Sequence, residues 1–172
     1  DFLDNPDTSM VASLVATQLH NPTTLDTLLS RLFQAVHNQA IKPSAITENQ
    51  LVFLVLANWA LDKRYVGETR LPPFQLKLNG RIDLARHFLV SAAISANSHE
   101  WLSHLVGTGK EVHDAMGGSG FSFDDLAADR LGTYLGKQAT LSEAAAKRMQ
   151  QRLSDNRLSQ QLHESVKHPL TP

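Results

Sequence analysis

The stretch GGSGFSFDDLAADRLGTYLG, residues 117–136, decides how this chain is read. Gly117 and Gly118 can take the positive φ angles of a tight reversal after a helix that ends at Met116. Ser122–Phe123–Asp124–Asp125 has the form of a capping box, in which the serine hydroxyl accepts a backbone N–H and the fourth side chain reaches back to the cap. Phe121, one residue before the cap, can pack on Leu126 as a hydrophobic staple. Beyond the cap, Leu126, Ala127, Leu131 and Leu135 continue the helix. Gly132–x–x–x–Gly136 allows close packing of another helix, with Gly107 and Gly109 serving the same end on the facing one. The stretch is a helix–turn–helix junction.

The same grammar recurs along the chain. Thr23–Thr24–Leu25–Asp26 follows Pro22 and opens a segment with Leu25, Leu28, Leu29, Leu32, Phe33 and Val36 on one face. Thr47–Glu48–Asn49–Gln50 opens a segment that runs to about Arg64, and Thr140–Leu141–Ser142–Glu143 one that ends near Asp155. Further helices are expected at 7–20, 82–96, 98–115 and 157–167. The segment from Val66 to Gly80 contains Pro72–Pro73 and Asn79–Gly80 and is the main non-helical connection. Within it FQLKL, residues 74–78, alternates as a short strand would, although a lone strand lacks a partner. The expected fold is all-α, a single-domain bundle of about seven or eight helices over residues 1–172. Residues 1–80 supply N-terminal helices, 81–137 the candidate site region and 138–172 the C-terminal helices.

Composition bounds the function. The chain has 172 residues, 42% hydrophobic and 19% charged, which is a globular mixture long enough for a real core. A formal net charge of −1 gives no overall field toward nucleic acid or acidic lipid. The eight histidines make the charge rise as pH falls from about 7 to 5. With no cysteine there are no disulfides, thiolate metal sites or cysteine nucleophiles, which permits an extracytoplasmic setting without requiring one. Asp1 in place of Met is read as a processed or trimmed start. The longest apolar run, Leu51 to Ala57, is far short of the roughly 20 residues that span a bilayer.

Polar residues at helical spacing mark a candidate site. Asp83, His87 and Ser91 form one row on helix 82–96, opposite Leu84, Phe88 and Leu89. His104, Thr108 and Glu111 form a second row on helix 98–115, with Asp114 three residues on. Asp125, Asp129 and either Gly132 or Thr133 form a third. If the rows converge, His87, Glu111, Asp114 and Asp129 make a carboxylate-rich set with one imidazole, suited to a divalent cation or to acid–base work. If they do not, the same residues are water-facing rows or ion pairs, with His87 and Glu111 paired to Arg86, Lys110 or Arg130.

Other motifs are set aside on chemistry. His99 and His104 are five apart, roughly 140° around a helix, so they do not make the HExxH pair of a zinc protease. The glycine-rich turn has no following lysine, and Asp124 and Asp125 would repel a phosphate. His20, His37, His163 and His168 stand alone and are read as surface or helix-end residues. Residues 147–168, KRMQQRLSDNRLSQQLHESVKH, read as a terminal helix pair of mixed charge, or secondarily as a partner-binding surface.

Asp83, His87–Phe88, Gly107, Lys110–Glu111, Asp114, Asp129, Gly132 and Gly136 form a pattern over residues 83–136 that resembles YfiM-like bacterial envelope lipoproteins and, more distantly, VanZ-like membrane proteins. The resemblance implies an envelope location, periplasmic or otherwise extracytoplasmic, and draws attention to His87, Glu111, Asp114 and Asp129. Helix 98–115 departs from those relatives in being more polar, and the first 80 residues have no counterpart there. Two functions follow as expectations. One is a helical envelope module that binds an unknown protein partner or envelope component, or scaffolds an assembly, without nucleic acid or a transmembrane segment. The other is a metal-dependent hydrolase with His87 and Glu111 as catalytic residues, His87, Glu111, Asp114 and Asp129 as metal ligands, and a divalent metal as the cofactor.

Overall fold

The computed structural model describes residues 4–19, 23–97 and 122–154. Among them are six helices and one two-stranded hairpin, so the all-α class holds. The helices expected at 98–115 and 157–167 and the Phe121 staple lie outside the described residues, and the count of seven or eight is not reached within them.

Helix α1, Pro6–Gln18, begins at Asn5, whose side chain accepts the Asp7 N–H at 2.9 Å. Helix α2, Leu25–Gln39, buries the whole expected stripe of Leu25, Leu28, Leu29, Leu32, Phe33 and Val36. Its start differs from the expected box. Thr24 is the cap and makes no side-chain capping bond; its hydroxyl pairs with that of Thr27 at 3.0 Å, while the first helical N–H, that of Leu25, donates to the Lys77 carbonyl at 3.2 Å. Helix α3, Ala45–Ala60, is the central element, and every residue from Leu51 to Ala60 is buried. Its cap is Ser44, not Thr47, and the Ser44 hydroxyl accepts the Thr47 N–H at 3.3 Å.

The connection to α4 is a hairpin of β1, Tyr65–Val66, and β2, Thr69–Arg70, followed by extended chain. FQLKL is not a strand. Phe74, Leu76 and Leu78 enter the core while Gln75 and Lys77 face out, as the alternation required, but among the described residues no neighbouring strand pairs with them. The Trp59 indole donates to the Pro72 carbonyl at 2.7 Å and packs edge-on against Phe74, which ties this chain to α3. Asn79 and Gly80 both take positive φ, and the two-residue turn they form closes with a Leu78–Arg81 bridge.

Helix α4 spans Ile82–Ala96, as expected. Helix α5, Phe123–Thr140, opens on a complete capping box: Ser122 Oγ accepts the Asp125 N–H and Asp125 Oδ2 accepts the Ser122 N–H. Helix α6 is Glu143–Ser154. Here the expected Thr140 start is two residues early. Thr140 still belongs to α5, its hydroxyl donating to the Gly136 carbonyl, and Ser142 Oγ accepts the Ala145 N–H. Glu143 instead crosses to α3, accepting from the Ser44 hydroxyl at 2.5 Å and the Ala45 N–H at 3.0 Å.

One hydrophobic cluster draws side chains from all six helices, with Phe33, Phe53, Trp59 and Phe88 among its largest members. Fully burying one such side chain contributes about 1.5–3 kcal/mol. The closest helix contact is α4 against α5. A Cβ at Gly132 would lie 2.2 Å from the Phe88 carbonyl oxygen, and one at Gly136 2.3 Å from that of Ala92. The helix that faces the glycine pair is therefore α4, whereas Gly107 and Gly109 lie outside the described residues.

Candidate functional site

Glycine at 132 lets the two helix backbones touch, and the polar rows beside the glycines meet as a result. The α4 row Asp83, His87, Ser91 and the α5 row Asp125, Asp129, Gly132 face each other along the seam. Asp129, three residues before Gly132, reaches both inner members of the opposing row. His87 Nδ1 lies 3.0 Å from Asp129 Oδ1, and the Ser91 hydroxyl donates to the same oxygen at 2.8 Å. The other imidazole nitrogen, Nε2, is 4.0 Å from Asp125 Oδ1. His87 is only 4% exposed.

At the mouth of this seam sits Arg81. It pairs with Asp83 at the start of α4 and with Asp124 at 3.1 Å and Asp125 at 3.4 Å at the start of α5. One guanidinium thus ties the first turns of two helices, each of which already favours carboxylates through its dipole. The Arg81 guanidinium hydrogen-bonded to Asp83 holds that carboxyl below its ordinary value, and Asp83 in turn raises Arg81.

The His87 imidazole titrates above its ordinary value. The hydrogen bond to Asp129 is the main cause, outweighing the opposite effect of burial, and the charges of Asp129, Asp125 and Asp83 add to it. In the protonated imidazolium, Nδ1–H donates to Asp129. Ser91 and His87 therefore both spend their protons on one carboxylate oxygen. In a serine nucleophile arrangement the hydroxyl would donate to the imidazole instead, so that the imidazole could take its proton. Ser91 is not placed for that step.

Of the four residues expected at the site, the structure brings His87 and Asp129 together. Glu111 and Asp114 lie outside the described residues, as does the row of His104 and Thr108. Of the three cations offered to His87 and Glu111, Arg86 does not reach His87. It reaches Asp62 at 3.4 Å and lies over the Phe74 ring at 5.6 Å, because its position on α4 faces the chain before the hairpin and the extended segment. Asp125 and Ser91 were visible as row members but not as partners of His87. Arg81 precedes the helix and belongs to no row, so periodicity carried no signal for it. Among the described residues, no group of three or more histidines and acids is disposed to hold a metal ion.

A second polar cluster lies where α6 crosses α3. Gln150 Nε2 donates to Glu48 Oε2 at 2.8 Å and to Asn49 Oδ1 at 3.1 Å, while Asn49 Nδ2 donates to the Ala139 and Ala146 carbonyls. Glu48 Oε1 accepts the Lys42 N–H, and exposed His37 reaches Gln150 Oε1 through Nδ1 at 3.2 Å. Of these groups His37, Glu48 and Gln150 line an open groove of about 380 Å³, together with Lys42 and Lys147. Both Glu48 oxygens are met by protein donors, and the Lys42 ammonium is paired with Asp7. No helix among the described residues is long and apolar enough to cross a membrane. No family model, no curated protein and no solved structure matches the chain.

Proposed function

We propose that this chain is a noncatalytic helical module that binds another macromolecule or braces an assembly, and that it works in the bacterial cell envelope. The observation that carries this reading is the shared acceptor: one Asp129 oxygen takes both His87 and Ser91, in a seam where His87 is buried. Buried charges that are paired and hydrogen-bonded hold a structure in one arrangement, and here they hold α4 on α5. The envelope setting rests on the likeness of residues 83–136 to YfiM-like lipoproteins.

A metal-dependent hydrolase is the second reading, favoured by one specific observation. The Nε2 of His87 makes no hydrogen bond among the described residues and faces Asp125, so a carboxylate–imidazole pair has one nitrogen to offer. Its catalytic pair would be His87 and Glu111, with Asp114 and Asp129 as further ligands.

Thermal unfolding of metal-stripped protein with and without Mg²⁺, Ca²⁺, Mn²⁺ and Zn²⁺ separates the two. The module reading expects no cation to raise the midpoint. A specific cation that raises it by mass action, with the gain lost in Glu111→Gln, would establish the hydrolase reading in its place.

A further inference from the structure

The outward face of α5 is as regular as its inward one. Phe123, Leu126, Arg130, Tyr134, Lys137 and Leu141 are spaced by three and four residues, and at about 100° per residue they fall within an arc of about 80°. Ala128, Gly132, Leu135, Gly136 and Ala139 occupy the opposite arc and are buried. Phe123 is 85% exposed, Tyr134 55% and Leu141 71%, a concentration of large apolar side chains that isolated surface hydrophobics do not produce. Arg130 and Lys137 stand one heptad apart between them, and neither has an ion pair among the described residues. No acid lies in the arc.

We infer that this stripe is a docking surface for an acidic amphipathic helix of a protein partner, an inference that rests on the binding-module reading and names the partner's chemistry. The stripe runs about 27 Å, the length of a five-turn helix. A partner helix would lay its apolar side chains against Phe123, Tyr134 and Leu141, and would set carboxylates seven residues apart opposite Arg130 and Lys137. A second copy of the chain fits badly, because it would add two more cations and no acid. An anionic bilayer fits badly as well. Beside Phe123 the exposed Asp83 and Asp124 share one guanidinium with Asp125, and a flat surface would press this net negative corner against its headgroups. A helix about 10 Å across touches the stripe alone.

The test uses a synthetic helical peptide with leucines on one face and two glutamates seven residues apart within that face, beside its lysine counterpart. Fluorescence anisotropy should show the glutamate peptide binding to the intact chain. The double variant Arg130→Glu, Lys137→Glu should weaken it about tenfold and bind the lysine peptide in its place. Tyr134→Ala should weaken the glutamate peptide with an unchanged thermal midpoint. No binding of the glutamate peptide, or equal binding by the charge-reversed variant, overturns the inference. So does binding to phosphatidylglycerol vesicles that Tyr134→Ala abolishes, or a dimer in sedimentation that the same variant dissolves. The absence of any cation response alongside a failed peptide titration would sink this surface while leaving the module reading in place.

Discussion

Two helix seams among the described residues carry buried polar groups, and they are built on different chemistry. Along α4–α5, glycines bring the backbones together and the polar contact is ionic: His87 with Asp129, and Arg81 with three carboxylates. Where α3 meets α6, the contact is mostly neutral amide, Asn49 and Gln150 spanning backbone carbonyls and the Glu48 carboxylate. The first seam depends on the absence of side chains and on protonation state. The second depends mostly on directional hydrogen bonds between neutral amides and backbone carbonyls. Each can therefore be broken by a change to which the other is indifferent.

The largest effect is expected at Gly132. In Gly132→Ala the new methyl meets a backbone carbonyl at 2.2 Å, and a helix backbone cannot give locally as the end of a long side chain can. Overpacking of this kind costs about 3 kcal/mol, read as a lower urea midpoint at unchanged slope. Because Asp129 moves with α5, the same variant should return His87 toward its ordinary titration, followed by NMR. A variant as stable as the wild type would show that the seam is looser than its geometry. Next is Asn49→Ala, which leaves the Ala139 and Ala146 carbonyls and one Gln150 donor without their partner in a buried place. That should cost about 2 kcal/mol and leave the His87 titration untouched.

The difference between the seams also explains what was legible in the sequence. Helix 82–96, the Ser122 box and the glycine pair were readable because each is specified by residues within a turn or two. The rows of Asp83, His87, Ser91 and Asp125, Asp129 were readable for the same reason, and their meeting followed from the glycines. Caps that depend on distant chain were misplaced. Thr47 resembled a helix start, but the true cap Ser44 is completed by Glu143, and the start of α2 is met by the Lys77 carbonyl. Arg86 was one of three cations offered to His87 and Glu111, but it reaches Asp62, which lies after α3 at a positive φ of 64°. No local period encodes such partners.

The smallest effects are expected from pH, and they fall at both ends of the scale. The folded-state value of His87 lies above its ordinary 6.5, so the folded chain favours the imidazolium. Its stabilisation is complete below about 6.5 and is lost as pH rises through the folded value. Glu143 behaves in the reverse sense. The Ser44 hydroxyl, then the Ala45 and Ile46 N–H groups and Lys147, hold its carboxyl below its ordinary 4.5, so its contribution is present above about 4.5 and is lost as pH falls through the folded value. Asp83, held down by Arg81, adds to the same acid limb. Urea midpoints across about pH 3 to 9 should accordingly fall at both ends. Asp129→Asn should flatten the alkaline limb and spare the acid one. Glu143→Gln should reduce the acid limb without abolishing it, since Asp83 remains, and its effect should be the smaller because the carboxylate is exposed to screening solvent. An alkaline limb that survives Asp129→Asn would mean that the α4–α5 seam does not hold His87 through that carboxylate, and the ionic character assigned to it would fall with that result.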